Sequence, residues 1–139
     1  MTTSIGKPLA DERGKLTVRR VISVESGSAR VEMTFESAGL LGDVHYTALG
    51  TLVSVIRADG TLYGDLMGGL RTDGNDTAVF RGITGGKYTD NTAHSRVYRG
   101  SVTYENATGA LAELCSGLAV FELDIDDDNN VTFRSWELA

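Results

Sequence analysis

Three tyrosines are the residues of this sequence whose spacing best suits chemistry inside a protein. Tyr98 and Tyr104 stand an even number of positions from Val102, and Tyr46 stands two positions from Ala48. Side chains two apart in a strand point to the same side, so we expect all three hydroxyls to face an interior. A buried hydroxyl needs a hydrogen-bond partner, since an unpaired one costs about 1–3 kcal/mol. The tyrosines are therefore predicted to contact a ligand or water, with ordinary packing as the alternative.

One histidine adds a group that can exchange protons near neutral pH. His94 follows the glycine-containing loop 85–93, and at the mouth of a cavity a neutral imidazole there can act as a base. The alternative is an exposed loop histidine. The sequence has no HExxH, CxxC or GxSxG motif, so we predict no metal site and no cofactor, and we assign no catalytic residue. The candidate ligand-binding residues are Tyr46, Tyr98, Tyr104 and His94.

An acidic stretch near the end of the chain resembles a cation site in composition. Between Asp124 and Asn130, four aspartates and two asparagines occupy seven positions. A calcium loop that begins at Asp126 would need glycine at its sixth position, where this chain has Val131, and the flanking residues alternate as strands. We interpret the stretch as a hairpin turn in which Asp and Asn tolerate left-handed backbone angles. Weak cation binding at the surface is the alternative.

Length and charge restrict the classes of protein to consider. A chain of 139 residues is long enough to close one core, so we expect a single domain. Its formal net charge of −6 argues against a nucleic-acid partner. No apolar run has the length of a membrane span or signal peptide, and the single Cys115 has no internal disulfide partner. We therefore expect a cytoplasmic protein without a membrane partner.

The elements that would position these residues are strands. The segments "KLTVRRVISVE" and "ARVEMTFES" alternate apolar and polar residues with a period of two, and the short "SGS" between them favours a hairpin. Similar segments recur along the chain, separated by short turn sequences such as "ADG", "DGND" and "DDNN". The pattern predicts about eight antiparallel strands, each close enough to the next to pair with it.

Glycine placement favours a closed barrel over two stacked sheets. Gly64 and Gly68 alternate with leucines on one face of the predicted fourth strand, and Gly50 shares a face with Tyr46. Small residues among large ones suit a tapering interior and sharply coiled strands. We therefore predict an all-β, closed, antiparallel up-and-down barrel formed by residues 14–139, preceded by a flexible segment, residues 1–13. A β-sandwich is the alternative fold.

The strand rhythm also resembles known barrels. The phrases "ADGTLYGDLMGGLRTDG", "YRGSVTYENATGALAEL" and "VFELDIDDDNNVTFRSWEL" resemble a group of small uncharacterised microbial proteins. More loosely, the chain is similar to the calycin-type barrel superfamily that includes allene oxide cyclase and related bacterial polyketide cyclases. The resemblance extends over residues 14–138 and implies a closed barrel with a hydrophobic cavity. No catalytic residue of those cyclases matches a position in this chain.

Three functions are compatible with such a barrel. We expect first the binding of one small apolar molecule in the cavity, and second a cofactor-free cyclase or isomerase in which a tyrosine or histidine assists proton movement. The third is a filled barrel that assembles into a homo-oligomer. Leu49, Val53 and Val55 make the other face of the third strand apolar as well, so that face needs a cover if it lies outside.

Overall fold

The structure is a computed structural model that describes residues 4–89, 95–115 and 117–138. Most of these residues belong to strands, as their β-branched and aromatic composition favours. The elements in chain order are β1 (Ile5–Glu25), β2 (Ser28–Leu41), β3 (Val44–Ile56), β4 (Thr61–Thr72), β5 (Thr77–Tyr88), β6 (Arg96–Glu105), α1 (Ala110–Leu114), β7 (Leu118–Ile125) and β8 (Asn130–Leu138).

The eight strands form a closed barrel in which each strand pairs with its neighbour in sequence. All pairs are antiparallel, and β1 closes the barrel by pairing with β8 from Ile5↔Leu138 to Lys15↔Asn130. The predicted all-β fold and its closure are thus confirmed, and the sandwich alternative is wrong. Closure follows from the sequence because consecutive strands joined by short turns leave two edges, which pair with each other.

Short turns with left-handed residues connect most of the strands. Ser26 and Gly27 both have positive φ, as the predicted "SGS" hairpin requires. The acidic stretch between β7 and β8 is also a turn, as predicted. Asn129 has a φ of 64°, and the Asp126 carboxylate accepts hydrogen bonds from the backbone N–H groups of Asp128 and Asn130 at 2.9 and 2.8 Å. The Asp126 carboxylate therefore stabilises the turn.

Two segments differ from the sequence-based expectation. The predicted flexible segment 1–13 overlaps β1, which begins at Ile5, because pairing with β8 gives these residues a second strand to bond with. The predicted strands and turns included no helix, yet α1 precedes β7. The run "ALAEL" is rich in helix formers, and the Asp76 carboxylate accepts a hydrogen bond from the Ala110 N–H at 3.1 Å.

Along the regular parts of the strands, side chains alternate between the lumen and the outside, as the pleat demands. Along β4, for example, Leu62, Leu66 and Leu70 are buried while Tyr63 and Met67 are exposed. The buried set of all strands meets in one continuous core inside the barrel. Among the described residues, no helix has the length and apolar character needed to cross a membrane.

The strand β1 is longer than its partners and extends past one end of β8. Its pairing with β8 ends at Lys15, whereas its pairing with β2 continues to Glu25↔Ser28. Two register shifts, between Leu16 and Val18 and between Val21 and Ser23, bend this overhanging part. The overhang lies at the end of the barrel where β3 turns into β4.

Candidate functional site

The lumen of the barrel is filled with side chains. A small cavity of about 10 Å³ lies among these side chains. This volume is close to the smallest that holds a single water molecule, whereas small-molecule sites usually enclose about 300–1,000 Å³. The residues around the cavity are Glu12, Phe35, Leu66, Leu70, Phe80, Tyr104 and Phe133. The described lumen therefore has no space for an apolar ligand of several carbon atoms.

The interior glycines explain why so little space remains. A Cβ added to Gly50 would lie 2.5 Å from the ring of Phe35, and one added to Gly68 would lie 2.6 Å from the ring of Phe80. The aromatic rings thus occupy the volume that the missing side chains leave. The glycines alternate with large residues on the inner wall, as the sequence indicated. The space between them, however, is used for packing.

A buried carboxyl group is the most unusual polar feature of the lumen. Glu12 is 4% exposed, and its two carboxylate oxygens accept hydrogen bonds from the hydroxyls of Ser37 and Tyr46. The Tyr46 contact measures 2.6 Å. We call these three residues the Glu12 cluster. A buried carboxyl is costly unless it is hydrogen-bonded, so the two hydroxyls stabilise a group that would otherwise destabilise the core.

Burial dominates the proton affinity of the Glu12 cluster. Loss of water raises the pKa of Glu12, and the hydrogen bonds from Ser37 and Tyr46 oppose this rise only in part. Burial also raises the pKa of Tyr46, and the nearby Glu12 carboxylate adds to that rise. The cluster therefore favours the forms that carry no charge. Such an acid can donate or accept one proton, which is the chemistry expected of a general acid or base.

The Glu12 cluster lies under the short helix. Leu111 of α1 is fully buried, and Cys115 just after the helix is buried as well. Burial raises the pKa of the Cys115 thiol to about 11 and also raises the pKa of Tyr104, so both groups stay protonated at neutral pH. The helix thus closes this end of the lumen with apolar contacts. Cys115 is thus a buried, protonated thiol.

The third predicted tyrosine lies toward the other end of the lumen. Tyr98 is fully buried, and its hydroxyl shares a hydrogen bond of 2.7 Å with the Ser54 hydroxyl. Nearby, the buried Arg96 donates to the sulfur of Met33 at 3.0 Å, and its guanidinium lies 6.0 Å from the centre of the Tyr88 ring. This end therefore holds a buried cation close to polarisable and aromatic groups.

The structure brings some of the predicted residues together and separates others. Tyr46 and Tyr104 both lie at the Glu12 end, while Tyr98 lies with Ser54. His94 lies outside the described residues. The prediction missed Glu12, because the segment that contains it, residues 1–13, was expected to be flexible. The alternation of Ala10, Glu12 and Leu16 with charged residues indicates a strand but does not show which side of that strand faces inward.

The outside of the barrel carries an area of solvent-exposed apolar residues. On β3, β4 and β5 the outward positions hold large exposed apolar residues. We call this area the β3–β5 outer face, and its exposed members are Leu49, Tyr63, Met67, Val79 and Ile83. Val53 and Val55, predicted to lie on this face with Leu49, are half-buried there. Scattered apolar residues are normal on a surface, whereas here five large ones lie on three adjacent strands.

These features define the chain as a closed, filled barrel of eight antiparallel strands. No family model matches it, and no curated protein matches it. Solved structures with the same fold are nevertheless found at low sequence identity. At such identities the likeness shows the fold alone.

Three of these structures cover nearly the whole chain. A protein of unknown function from Clostridium acetobutylicum has a TM-score of 0.81 and 11% identity, covering 99% of this chain and 100% of its own. A conserved protein of unknown function from Rhodopseudomonas palustris has a TM-score of 0.81 and 10% identity, with coverage of 100% and 99%. A β-barrel-like protein from Acinetobacter baumannii has a TM-score of 0.80 and 13% identity, with coverage of 100% and 98%. The resemblance to microbial barrels is supported, whereas none of the three is described as an allene oxide cyclase.

Proposed function

We propose that this chain is a filled barrel that works through its outer surface, as a self-associating module whose β3–β5 outer face is covered by a second copy. The packed lumen carries this proposal. A carrier or cyclase must enclose its ligand, and a cavity of about 10 Å³ leaves a ligand no room without rearrangement of the core. The exposed apolar groups, in contrast, lie on the outside.

Hydrophobicity supports the β3–β5 outer face as the contact. Leu49 is 56% exposed and Ile83 is 58% exposed. Each large apolar side chain that becomes fully buried contributes about 1.5–3 kcal/mol. The register places Leu49 level with Val79 across Gly69, and Val53 level with Ile83 across Asp65, so apolar residues of β3 and β5 lie on both sides of β4. A partner that covers these residues removes a substantial apolar area from water.

Charge at the borders of the face favours a second copy as that partner. Glu36 on β2 lies beside Leu49, and Arg81 on β5 lies beside Met67. Glu36 thus lies on the β2 side of the apolar residues, and Arg81 lies on the opposite side, on β5 between Val79 and Ile83. A two-fold axis through the middle of the face places Glu36 of one chain near Arg81 of the other. Self-association therefore satisfies both the apolar residues and the charges.

The test is the mass of the assembly in solution. We expect the wild type to sediment as two or more chains, and Ile83→Glu to halve the mass because a carboxylate would be buried in the contact. The matched control is Leu118→Glu, since Leu118 is also an exposed strand residue, at 46%, but lies on β7 away from this face. A monomeric wild type, or an Ile83→Glu variant that keeps the wild-type mass, would overturn the proposal.

A second candidate keeps one supporting observation. The Glu12 cluster next to the cavity supplies a buried acid, which is what a binding site for a small apolar molecule with one polar group, or a cofactor-free isomerase, would use. Such a ligand would contact Tyr46 and Tyr104, and would have to displace aromatic rings to enter. Native mass spectrometry that finds a retained small molecule in the wild type, and finds it lost in Glu12→Gln, would support this candidate over the first.

A further inference from the structure

The part of β1 that extends past β8 has a free edge. We call residues 18–25 the β1 edge. Within the described residues, its backbone pairs with β2 on one side only, because the pairing of β1 with β8 ends at Lys15. Four large apolar residues lie on this short segment and all are exposed: Val18, Val21, Ile22 and Val24.

Such an edge is a strong site of association. Its unpaired N–H and C=O groups form a row that another strand can bond to, and exposed apolar side chains on it favour that addition. The two register shifts at Thr17 and Ile22 twist the strand, yet Val24 stays 71% exposed. The edge contains no proline, so every residue in it has a backbone N–H group that can pair with another strand.

The charges of the edge indicate what it pairs with. Arg19 lies near its beginning and Glu25 at its end, with Val21, Ile22 and Val24 between them. The neighbouring Arg20 pairs with Glu32 of β2 at 3.3 Å, and the exposed Arg19 donates a hydrogen bond of 3.3 Å to the Asn129 side chain. When two copies of this edge run antiparallel, Arg19 of one copy approaches Glu25 of the other at both ends of the contact. When they run parallel, like charges meet. We propose that the β1 edge pairs antiparallel with the β1 edge of a second copy, across a two-fold axis.

This contact goes beyond the association through the β3–β5 outer face, because it uses other strands and other forces. Backbone hydrogen bonds and two crossed ion pairs hold it, whereas the outer face depends on apolar burial. Two different two-fold contacts on one chain allow an assembly of four chains. Either contact can exist without the other, so each is tested by its own variants.

Charge reversal provides the experiment. In Arg19→Glu both ends of the contact pair two carboxylates, and in Glu25→Arg both pair two cations, so each variant alone should weaken edge association about tenfold and lower the sedimenting mass. A mixture of the two variants restores opposite charges at both ends and should regain the wild-type mass. The double variant Arg19→Glu/Glu25→Arg should also associate as the wild type does.

The matched control is Arg13→Glu, which makes the same charge change on the same strand but within the part that pairs with β8. It should keep the wild-type mass. Recovery in the mixture identifies a second copy as the occupant, since a foreign peptide or protein would not distinguish mixed from separate variants. An Arg19→Glu variant that sediments as the wild type, or a mixture that stays dissociated, would overturn the inference. Ile83→Glu reports on the outer face independently of both results.

Discussion

At the scale of single residues, the lumen contains polar groups whose positions the sequence only partly revealed. The tyrosines could be placed inside because strand periodicity decides which way a side chain faces. Glu12 could not, because a single glutamate in an alternating segment does not show whether its side is the inner one until the pairing partner is known. That partner is β8, more than a hundred residues away.

The buried Glu12 makes a prediction for the pH dependence of stability. Its pKa in the folded protein is raised above the ordinary value of 4.5, so the folded state binds the proton more tightly than the unfolded chain does. The contribution of Glu12 to stability is therefore greatest below that ordinary value and is lost as pH rises through the folded-state pKa, by about 1.4 kcal/mol for each unit by which the pKa is raised.

The measurement is urea unfolding between pH 4 and pH 8, about the range in which a raised carboxyl titrates. In Glu12→Gln the amide carries no charge, so the difference in unfolding free energy between wild type and variant should shift in favour of the variant as pH rises. Glu105→Gln, an exposed carboxylate, is the control and should show no such trend. A difference that stays constant with pH would contradict the account of Glu12.

At the scale of elements, the turn residues and the period-two pattern predicted the strands and their order well. Turns at Ser26–Gly27 and at Asn129 follow from residues that accept positive φ. The helix α1 was not predicted, because "ALAEL" continues an apolar run into β7 and its capping by Asp76 depends on tertiary contact. The role of the glycines was half predicted: their inward direction followed from the pattern, but the rings that fill the space come from other strands.

Two neighbouring glycines on β5 test that packing. A Cβ on Gly86 would lie 2.5 Å from the Val97 carbonyl oxygen and 2.8 Å from the Tyr98 ring, whereas a Cβ on Gly85 has its nearest neighbour at 3.9 Å. Gly86→Ala should therefore lower the free energy of unfolding by about 1–3 kcal/mol through overpacking. Gly85→Ala is the control and should be neutral or slightly stabilising. Equal effects in denaturant unfolding would show that the inner wall is not tightly packed.

At the scale of the whole molecule, closure of the barrel followed from the sequence, but the state of its lumen did not. Whether eight coiled strands enclose a pocket or a packed core depends on how aromatic side chains from opposite walls meet. This is decided by the volumes of those side chains, which the alternation of apolar and polar residues does not reveal. Four phenylalanines in the chain are enough to decide it here, since all four are buried in the lumen. The apolar positions Leu49, Val53 and Val55 of β3 could be recognised in the sequence. They lie on the outside of the barrel, which is what the hypothesis of an oligomer requires.

Removal of one ring should turn the core into a pocket. Phe80 lines the small cavity, so Phe80→Ala should enlarge it and lower the free energy of unfolding by about 3–5 kcal/mol. The enlarged apolar cavity should bind benzene or xenon, which the wild type should not. Binding measured by ligand-dependent thermal stabilisation in the variant alone is the expected result, and equal stabilisation of the wild type would show that its lumen already holds open space.

Native mass spectrometry of the wild-type protein, kept folded throughout purification, tests the central claim most directly because it reports subunit number and retained ligand together. A filled, self-associating barrel predicts peaks at whole multiples of the 14.8 kDa chain, two or more, without additional mass. A single chain that carries a bound small molecule would contradict both the filled lumen and the role of the outer surface.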